Sequence, residues 1–166
     1  TPTSGPLPTG RYFAQLTWDH GRHRAVLTNG ATVNDVLVPD VWAFDGTQWV
    51  SLGASPTPHG AALTFDPDRN RIVAFGGGTD VYLSSGATSH DLWELDGTQW
   101  ALQTPVGATP PDTIGASATY VTATKRAFFF GGSSPGASYS TASWEWDGAN
   151  RAWSPVLTRS APTDRF

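Results

Sequence analysis

Three aspartates recur at a fixed interval: Asp45, Asp96 and Asp147 are each 51 residues apart. Carboxylates that a fold brings together can act as general acids and bases or hold a divalent cation. Each of these aspartates, however, stands directly before a glycine or opens a glycine-containing turn, and Asp-Gly between two apolar runs is a strong signal for a hairpin. We therefore interpret them as turn residues, not as a catalytic set.

Two other segments contain the residue types of metal ligands. One aspartate and two histidines fall within 19–23, but no second ligand cluster lies nearby in sequence. Asp66, Asp68 and Asn70 match the first ligand positions of a calcium loop, whereas the glycine and the final glutamate of such a loop are missing. Tight turns explain both segments, so we predict no metal, no cofactor and no catalytic residue.

The hairpin aspartates belong to a unit that occurs three times. The pentapeptide Asp-Gly-Thr-Gln-Trp occupies 45–49 and 96–100, and a looser copy occupies 147–153. In each unit, short apolar runs separated by turn residues predict four strands in meander order. The predicted strands begin near residues 12, 25, 41 and 48 in the first unit, 61, 72, 91 and 98 in the second, and 116, 126, 143 and 152 in the third.

Apolar strands, a double glycine and two spaced aromatic residues, repeated every 51 residues, resemble the kelch repeat, one blade of a β-propeller. The resemblance covers 11–161, although the first unit has Asn29-Gly30 in place of the double glycine. It implies an all-β, kelch-type propeller of three four-stranded antiparallel blades, in which the tryptophans fill the space between sheets. The residues that match the motif are Trp42, Trp49, Gly76, Gly77, Trp93, Trp100, Gly131, Gly132, Trp144 and Trp153.

The repeat predicts a division of the chain into a linker and three blades. Propellers typically close with about four to eight blades, so three leave two apolar flanks. We therefore expect a partial propeller or half of a dimeric ring, completed by a second copy or by further blades. The predicted segments are a Pro/Thr-rich linker at 1–10, blades at 11–57, 58–112 and 113–161, and the start of a next blade, or a seam, at 162–166.

The long loops between second and third strands are the predicted binding face. In a four-stranded meander these loops share one end of the sheet with the crossings to the next unit. The loops 31–39, 78–90 and 133–141 are rich in Gly, Ser and Tyr, which suits an adaptable surface on a rigid scaffold; the alternative is that they are only solvated. The candidate ligand contacts are Asn34, Asp35, Asp80, Tyr82, His90 and Tyr139.

Composition narrows the classes of partner. A net charge of −4 without a basic stripe argues against nucleic acid, and no apolar run is long enough to predict a membrane span. The kelch resemblance implies a comparison with galactose oxidase, an enzyme of this fold that uses copper and a Tyr-Cys cofactor. This chain has no cysteine and cannot complete that cofactor. The Asp-Gly-Thr turns resemble those of bacterial extracellular propellers, which implies a secreted, periplasmic or cell-surface location.

We expect a non-enzymatic module for binding a protein or a glycan, or for assembly, with its ligand on the long-loop face. Its expected partners are a protein, further propeller blades in a homo-oligomer such as a dimer, or a larger complex. Two alternatives stay open. The chain could supply blades to a larger secreted oxidase or hydrolase whose catalytic residues lie outside it, or it could be a purely structural subunit.

Overall fold

The computed structural model describes residues 5–81, 87–134 and 139–157. These residues form twelve strands in three sheets of four, and no helix occurs among them. Within each sheet, strands that follow one another in sequence pair antiparallel. The prediction of an all-β chain with three four-stranded antiparallel units in meander order is confirmed.

The three sheets have nearly the same strand lengths. Sheet 1 contains β1 (Gln15–Asp19), β2 (Arg24–Thr28), β3 (Asp40–Phe44) and β4 (Trp49–Ala54). Sheet 2 contains β5 (Ala62–Asp66), β6 (Arg71–Phe75), β7 (Leu92–Leu95) and β8 (Trp100–Gln103). Sheet 3 contains β9 (Ser117–Val121), β10 (Arg126–Phe130), β11 (Ser143–Asp147) and β12 (Ala152–Pro155).

Each sheet has two unlike ends. The long loops after β2, β6 and β10 meet the crossings between sheets at what we call the loop end. There the Thr113 amide donates to the Ser89 carbonyl at 3.1 Å, and the Ile114 amide donates to the Ser133 carbonyl at 2.9 Å. The tight turns and hairpins occupy the opposite end, which we call the hairpin end. Backbone hydrogen bonds thus fix loops and crossings side by side at the loop end.

The double glycines turn the chain out of the second strand. Gly76 and Gly77 have φ of 74° and 104°, in the left-handed region that glycine adopts freely. A Cβ added at Gly76 would collide with the Thr113 carbonyl oxygen, so the crossing approaches the backbone closely. In the first unit Asn29 takes the place of the first glycine with φ of 55°, which asparagine tolerates better than most residues.

The hairpins before the fourth strands are four-residue loops in the first two units. The Asp45 carboxylate accepts hydrogen bonds from the amides of Thr47 at 2.8 Å and Gln48 at 2.9 Å. Gly46 has a φ of 100°, as expected for the hairpin glycine. The same expectation is wrong for Gly148, because the two inserted residues lengthen the third hairpin and the positive φ, 52°, falls on Arg151.

The three sheets pack face to face, with β5 in contact with both β1 and β9. Sheet 2 is therefore covered on both faces, whereas sheets 1 and 3 are each covered on one. Between sheets 1 and 2 the buried residues are Val26, Val41, Leu63, Phe65, Ile72, Ala74 and Leu95. Between sheets 2 and 3 they are Ala62, Val73, Phe75, Leu92, Ala127, Phe129, Trp146 and Trp153.

The tryptophans differ in burial. Trp153 is buried, and its ring centroid lies 4.8 Å from that of Phe75 on the neighbouring sheet. The most buried tryptophan, Trp146, is not one of the repeat positions; it is 1% exposed. The other repeat tryptophans are half-buried: Trp42, Trp49, Trp93, Trp100 and Trp144.

Candidate functional site

The loop end carries a cleft between sheets 1 and 2, which we call the 1/2 cleft. Its volume is about 370 Å³, near the lower end of the range for small-molecule sites. The strand-end turn at Asn29, the segment 37–39 and the crossing 55–59 form most of its wall, and Gly78 and Thr79 complete it. No aspartate, glutamate, lysine or arginine is among the described residues that line it.

Asn29 and the crossing form a buried hydrogen-bond network in this cleft. The Asn29 side chain is held by its left-handed backbone, and its Nδ2 donates to Thr57 Oγ1 at 2.8 Å and to the Pro58 carbonyl at 3.2 Å. The hydroxyls of Ser55 and Thr57 are 2.7 Å apart. The network therefore uses the donor side of the Asn29 amide and leaves its oxygen available.

Two buried polar atoms of the cleft wall lack a hydrogen-bond partner among the described residues: Asn29 Oδ1 and His59 Nδ1. The two residues are 2% and 6% exposed. Burial lowers the pKa of His59 below its usual value of 6.5, so its ring is neutral at pH 7. A buried polar atom without a partner costs about 1 to 3 kcal/mol, and a ligand that supplied one would recover part of that cost.

A second cleft, the 2/3 cleft, lies at the corresponding crossing between sheets 2 and 3. Its volume is about 280 Å³. The aromatic rings of Phe75, Phe129 and Trp144 contribute to its wall, and hydroxyls from the loop after β10 contribute polar groups. Its lining also includes Thr113, whose buried Oγ1 has no partner within the described part of the chain.

Asp112 joins the 2/3 cleft to one of the predicted contacts. Its Oδ1 lies 2.5 Å from His90 Nδ1, and both side chains are about half exposed. The Ser134 hydroxyl donates to the Asp112 backbone carbonyl. This arrangement anchors the crossing to the loops on either side of it.

A third concavity lies along the first strands, away from the loop end, with a volume of about 430 Å³. Trp18, Phe65 and Tyr120, one from each first strand, contribute to its wall. The Tyr120 hydroxyl donates to Asp68 Oδ2 at 2.8 Å, and burial together with this carboxylate raises the Tyr120 pKa. Its aromatic lining therefore comes from equivalent positions of the three sheets.

The predicted ligand contacts that fall among the described residues lie on the loops that form the clefts but not on the cleft walls. Asn34 and Asp35 are exposed in the loop after β2, and the Asp35 carboxylate accepts a hydrogen bond from Tyr12. Asp80 is half-buried beside Thr79 of the 1/2 cleft.

The remaining predicted contacts are spread over the other loops. His90 pairs with Asp112, as described above. Tyr139 is 53% exposed and adjoins Ser140, which lines the 2/3 cleft. Tyr82 lies outside the described residues.

Sequence reasoning missed the polar residues that line the 1/2 cleft. One signal was present for Asn29, because it replaces a glycine in an otherwise repeated pair. Thr57 and His59 carried no comparable signal, since they fall in a crossing where no repeated motif marks them. Their importance follows from the position of that crossing at the loop end.

Across 5–81, 87–134 and 139–157, no three His, Asp or Glu side chains are grouped so that they could hold a metal ion. That part of the chain also contains no helix with the length and apolar character needed to cross a membrane.

Comparison with known proteins gave no relative: no protein-family model matches the chain, and no curated protein matches it. Function is therefore inferred from the clefts and faces of the molecule itself.

Proposed function

We propose that this chain is a non-enzymatic β-propeller module of the kelch type that binds a ligand at its loop end. Three features support a propeller: consecutive sheets pack face to face, β5 lies between the first strands of the other two sheets, and each sheet is a four-stranded meander. The glycines that leave the second strand and the tryptophans near the sheet interfaces occupy kelch-like positions.

The observation that carries the binding proposal is the pair of unpartnered buried atoms in the 1/2 cleft, Asn29 Oδ1 and His59 Nδ1. Folding alone does not favour such atoms, because a buried polar group without a partner is destabilising. Binding sites, in contrast, keep a few polar groups ready to orient a ligand. The 1/2 cleft is thus the strongest candidate for the binding site.

The chemistry of this cleft favours a neutral ligand with many hydroxyl groups. Its described lining residues include no charged side chain, and the His59 ring is neutral at pH 7 because burial lowers its pKa. Leu37, Val38 and three prolines offer apolar surface beside the amide, hydroxyl and imidazole groups. A sugar ring has apolar C–H faces and hydroxyls that both donate and accept, so we infer a neutral glycan. Such a ligand agrees with a secreted, periplasmic or cell-surface location.

A binding measurement with one substitution tests this function. We expect His59→Phe to weaken binding to neutral oligosaccharides by at least about tenfold, because the ring is kept and its two nitrogens are lost. The melting temperature should stay the same or rise, since the change also removes an unpartnered buried atom. Isothermal titration with oligosaccharides selected from an immobilised panel measures the first effect, and circular dichroism measures the second.

His90→Phe is the matched control, since it makes the same replacement on an exposed loop outside the 1/2 cleft. It should leave oligosaccharide affinity unchanged. If no neutral oligosaccharide binds, or if both variants bind as well as the original chain, the glycan proposal is wrong. Binding of a peptide panel instead would assign the loop end to a protein partner.

A further inference from the structure

An apolar face of sheet 1 is open to solvent. Leu16 is 62% exposed and Trp18 is 44% exposed. Directly paired residues of neighbouring strands point to the same side of a sheet, so the strand register extends this face across all four strands. The open face of sheet 1 carries Leu16, Trp18, Leu27, Trp42, Phe44 and Trp49. Large apolar patches of this kind on soluble proteins mark interaction sites.

The corresponding faces of sheets 2 and 3 are covered. Phe65, which has the place of Trp18 in its sheet, is 6% exposed and belongs to the same buried cluster as Val26 of sheet 1. Trp146 of sheet 3 is likewise clustered with Val73 of sheet 2. In both cases the covering residue lies on the opposite face of the preceding sheet. The two interfaces inside the chain therefore show what kind of surface covers a face of this type.

Sheet 3 has a face of the covering kind that packs on no other sheet in the described part of the chain. On sheet 3, Phe128 and Phe130 have the strand positions that Val73 and Phe75 have on sheet 2. Phe128 pairs with Thr119 and Glu145, which places it on the face turned away from sheet 2. Among the described residues, sheets 1 and 3 thus each have one face of this pair that is not covered.

The hairpins before the fourth strands show the same pattern, because two of the three contact an arginine of the preceding sheet. Arg24 donates to the Gly97 carbonyl of the next sheet at 2.7 Å, and Arg69 donates to the Gly148 carbonyl of the next sheet at 3.1 Å. A Cβ added at either glycine would collide with an arginine of the preceding sheet, whereas nothing lies within 4 Å of one added at Gly46. The Gly46 hairpin has the shape of the Gly97 hairpin, without a described arginine against it.

Sheet 3 offers one arginine of this kind, in the place of Arg24, whereas Thr124 takes the place of the turn arginines Arg22 and Arg69. Arg126 is the first residue of β10, as Arg24 is of β2. Its side chain is 35% exposed and bonds to Asp147 at 3.2 Å and to Glu145 at 3.5 Å. The arginine is therefore already held at the edge of the unused covering face.

We propose that sheet 3 of a second copy of this chain covers the open face of sheet 1, and that the reciprocal contact forms at the same time. Two copies then close a ring of six sheets, within the usual range for propellers. In this ring Phe128 packs toward Leu16 of the other copy, and Arg126 faces the carbonyl of its Gly46. The pairing does not depend on a ligand in either loop-end cleft.

Light scattering of the complete 166-residue chain tests the pairing. We expect a mass about twice 17.6 kDa. Leu16→Glu and Phe128→Glu should each raise the dimer Kd by at least about a hundredfold, because each puts an unpaired charge into both contacts. Val33→Glu, at a residue 89% exposed in a loop, is the control and should leave the mass doubled. A monomeric original chain would overturn the proposal.

An equimolar mixture of the two flank variants tests the head-to-tail geometry. Each variant alone spoils both contacts of its ring, whereas the mixture contains one contact between two unaltered faces. The mixture should therefore form dimers at concentrations where each variant is monomeric. If Phe128→Glu alone still dimerises, two sheet 1 faces pair with each other and the proposed geometry is wrong. Far-ultraviolet circular dichroism establishes that each variant is folded.

Discussion

The same repeat position is core in sheet 2 and surface in sheet 1. Leu63 is 8% exposed and Leu16 is 62% exposed, although both are the second residue of a first strand that points to the same side of its sheet. The difference comes from the neighbour: sheet 1 lies against Leu63, whereas none of the three described sheets packs on the face that carries Leu16. A repeat thus encodes a face that needs a cover, and only the arrangement of sheets determines where the cover comes from.

The faces of sheets 2 and 3 that turn away from the preceding sheet can be compared in the same way. Sheet 2 presents Val73 and Phe75 to sheet 3, together with Glu94, which accepts a hydrogen bond from Trp146 Nε1 at 3.0 Å and pairs with Arg69. The outward face of sheet 3 keeps the aromatic character, and its Glu145 likewise pairs with an arginine of its own sheet, Arg126. An acid at this position is therefore compatible with a packed interface when an arginine neutralises it.

The largest expected effect in this comparison is on stability. Phe65→Ala should lower the free energy of unfolding by about 3 to 5 kcal/mol, because it leaves a cavity between sheets 1 and 2. Trp18→Ala is made in the Leu16→Glu chain, so that no second copy covers the open face. It should lower the free energy of unfolding by about 1 kcal/mol or less relative to the Leu16→Glu chain. Urea denaturation monitored by tryptophan fluorescence and circular dichroism measures both. Equal costs would mean that the two faces are equally covered.

A smaller effect is expected at the hairpin glycines. Gly46→Ala and Gly97→Ala are both made in the Leu16→Glu chain, so that no second copy covers Gly46. Both place alanine at a positive φ, 100° and 108°, which costs about 1 kcal/mol. At Gly97 the new methyl also displaces Arg22, which bonds to the Asp96 carbonyl, and should cost about 1 kcal/mol more. The excess should disappear in an Arg22→Ala chain. An excess that persists there would place the cost in the backbone instead.

The strand order could be predicted from sequence because it depends on local patterns. Alternating apolar residues, Asp-Gly turns and the repeat of 51 residues each specify neighbouring strands, and the predicted meander is the one observed. The positions of the long loops at one end follow from that meander. The residues of the 1/2 cleft could not be predicted, because Asn29 and His59 belong to different units and meet only when sheet 1 packs on sheet 2.

The burial of each tryptophan also could not be predicted from the sequence. Trp100 and Trp153 share a place in the motif, yet Trp153 is buried against Phe75 of the neighbouring sheet while Trp100 is half-buried. Trp146 is more buried than any of them and lies at the place of Leu95 and Phe44 in the other sheets. A motif marks which side chains are alike, whereas packing sets how much of each is exposed.

The smallest expected effect concerns the pKa values of two hairpin aspartates, which should not depend on whether a neighbouring sheet packs on the hairpin. The pKa values of Asp45 and Asp96 are both lowered to about 2. Hydrogen bonds from Thr47 and Gln48 lower the first, and hydrogen bonds from Gln99 and Thr98 lower the second. Because these partners lie within each hairpin, the two acids should titrate alike although only one hairpin meets arginines of the preceding sheet.

Carboxyl carbon chemical shifts followed by NMR against pH test this expectation. Since each folded pKa lies below the ordinary value of 3.8, the stabilisation from these hydrogen bonds is present above about pH 4 and is lost as the pH falls toward 2. Thr47→Ala should raise the pKa of Asp45 and leave that of Asp96 unchanged, because the altered hydroxyl belongs to one hairpin only. A normal pKa for Asp45 beside a low one for Asp96 would instead mean that contact with the preceding sheet orders the hairpin. The hydrogen bonds of the hairpin would then depend on contact with a neighbouring sheet, as the burial of the apolar faces does.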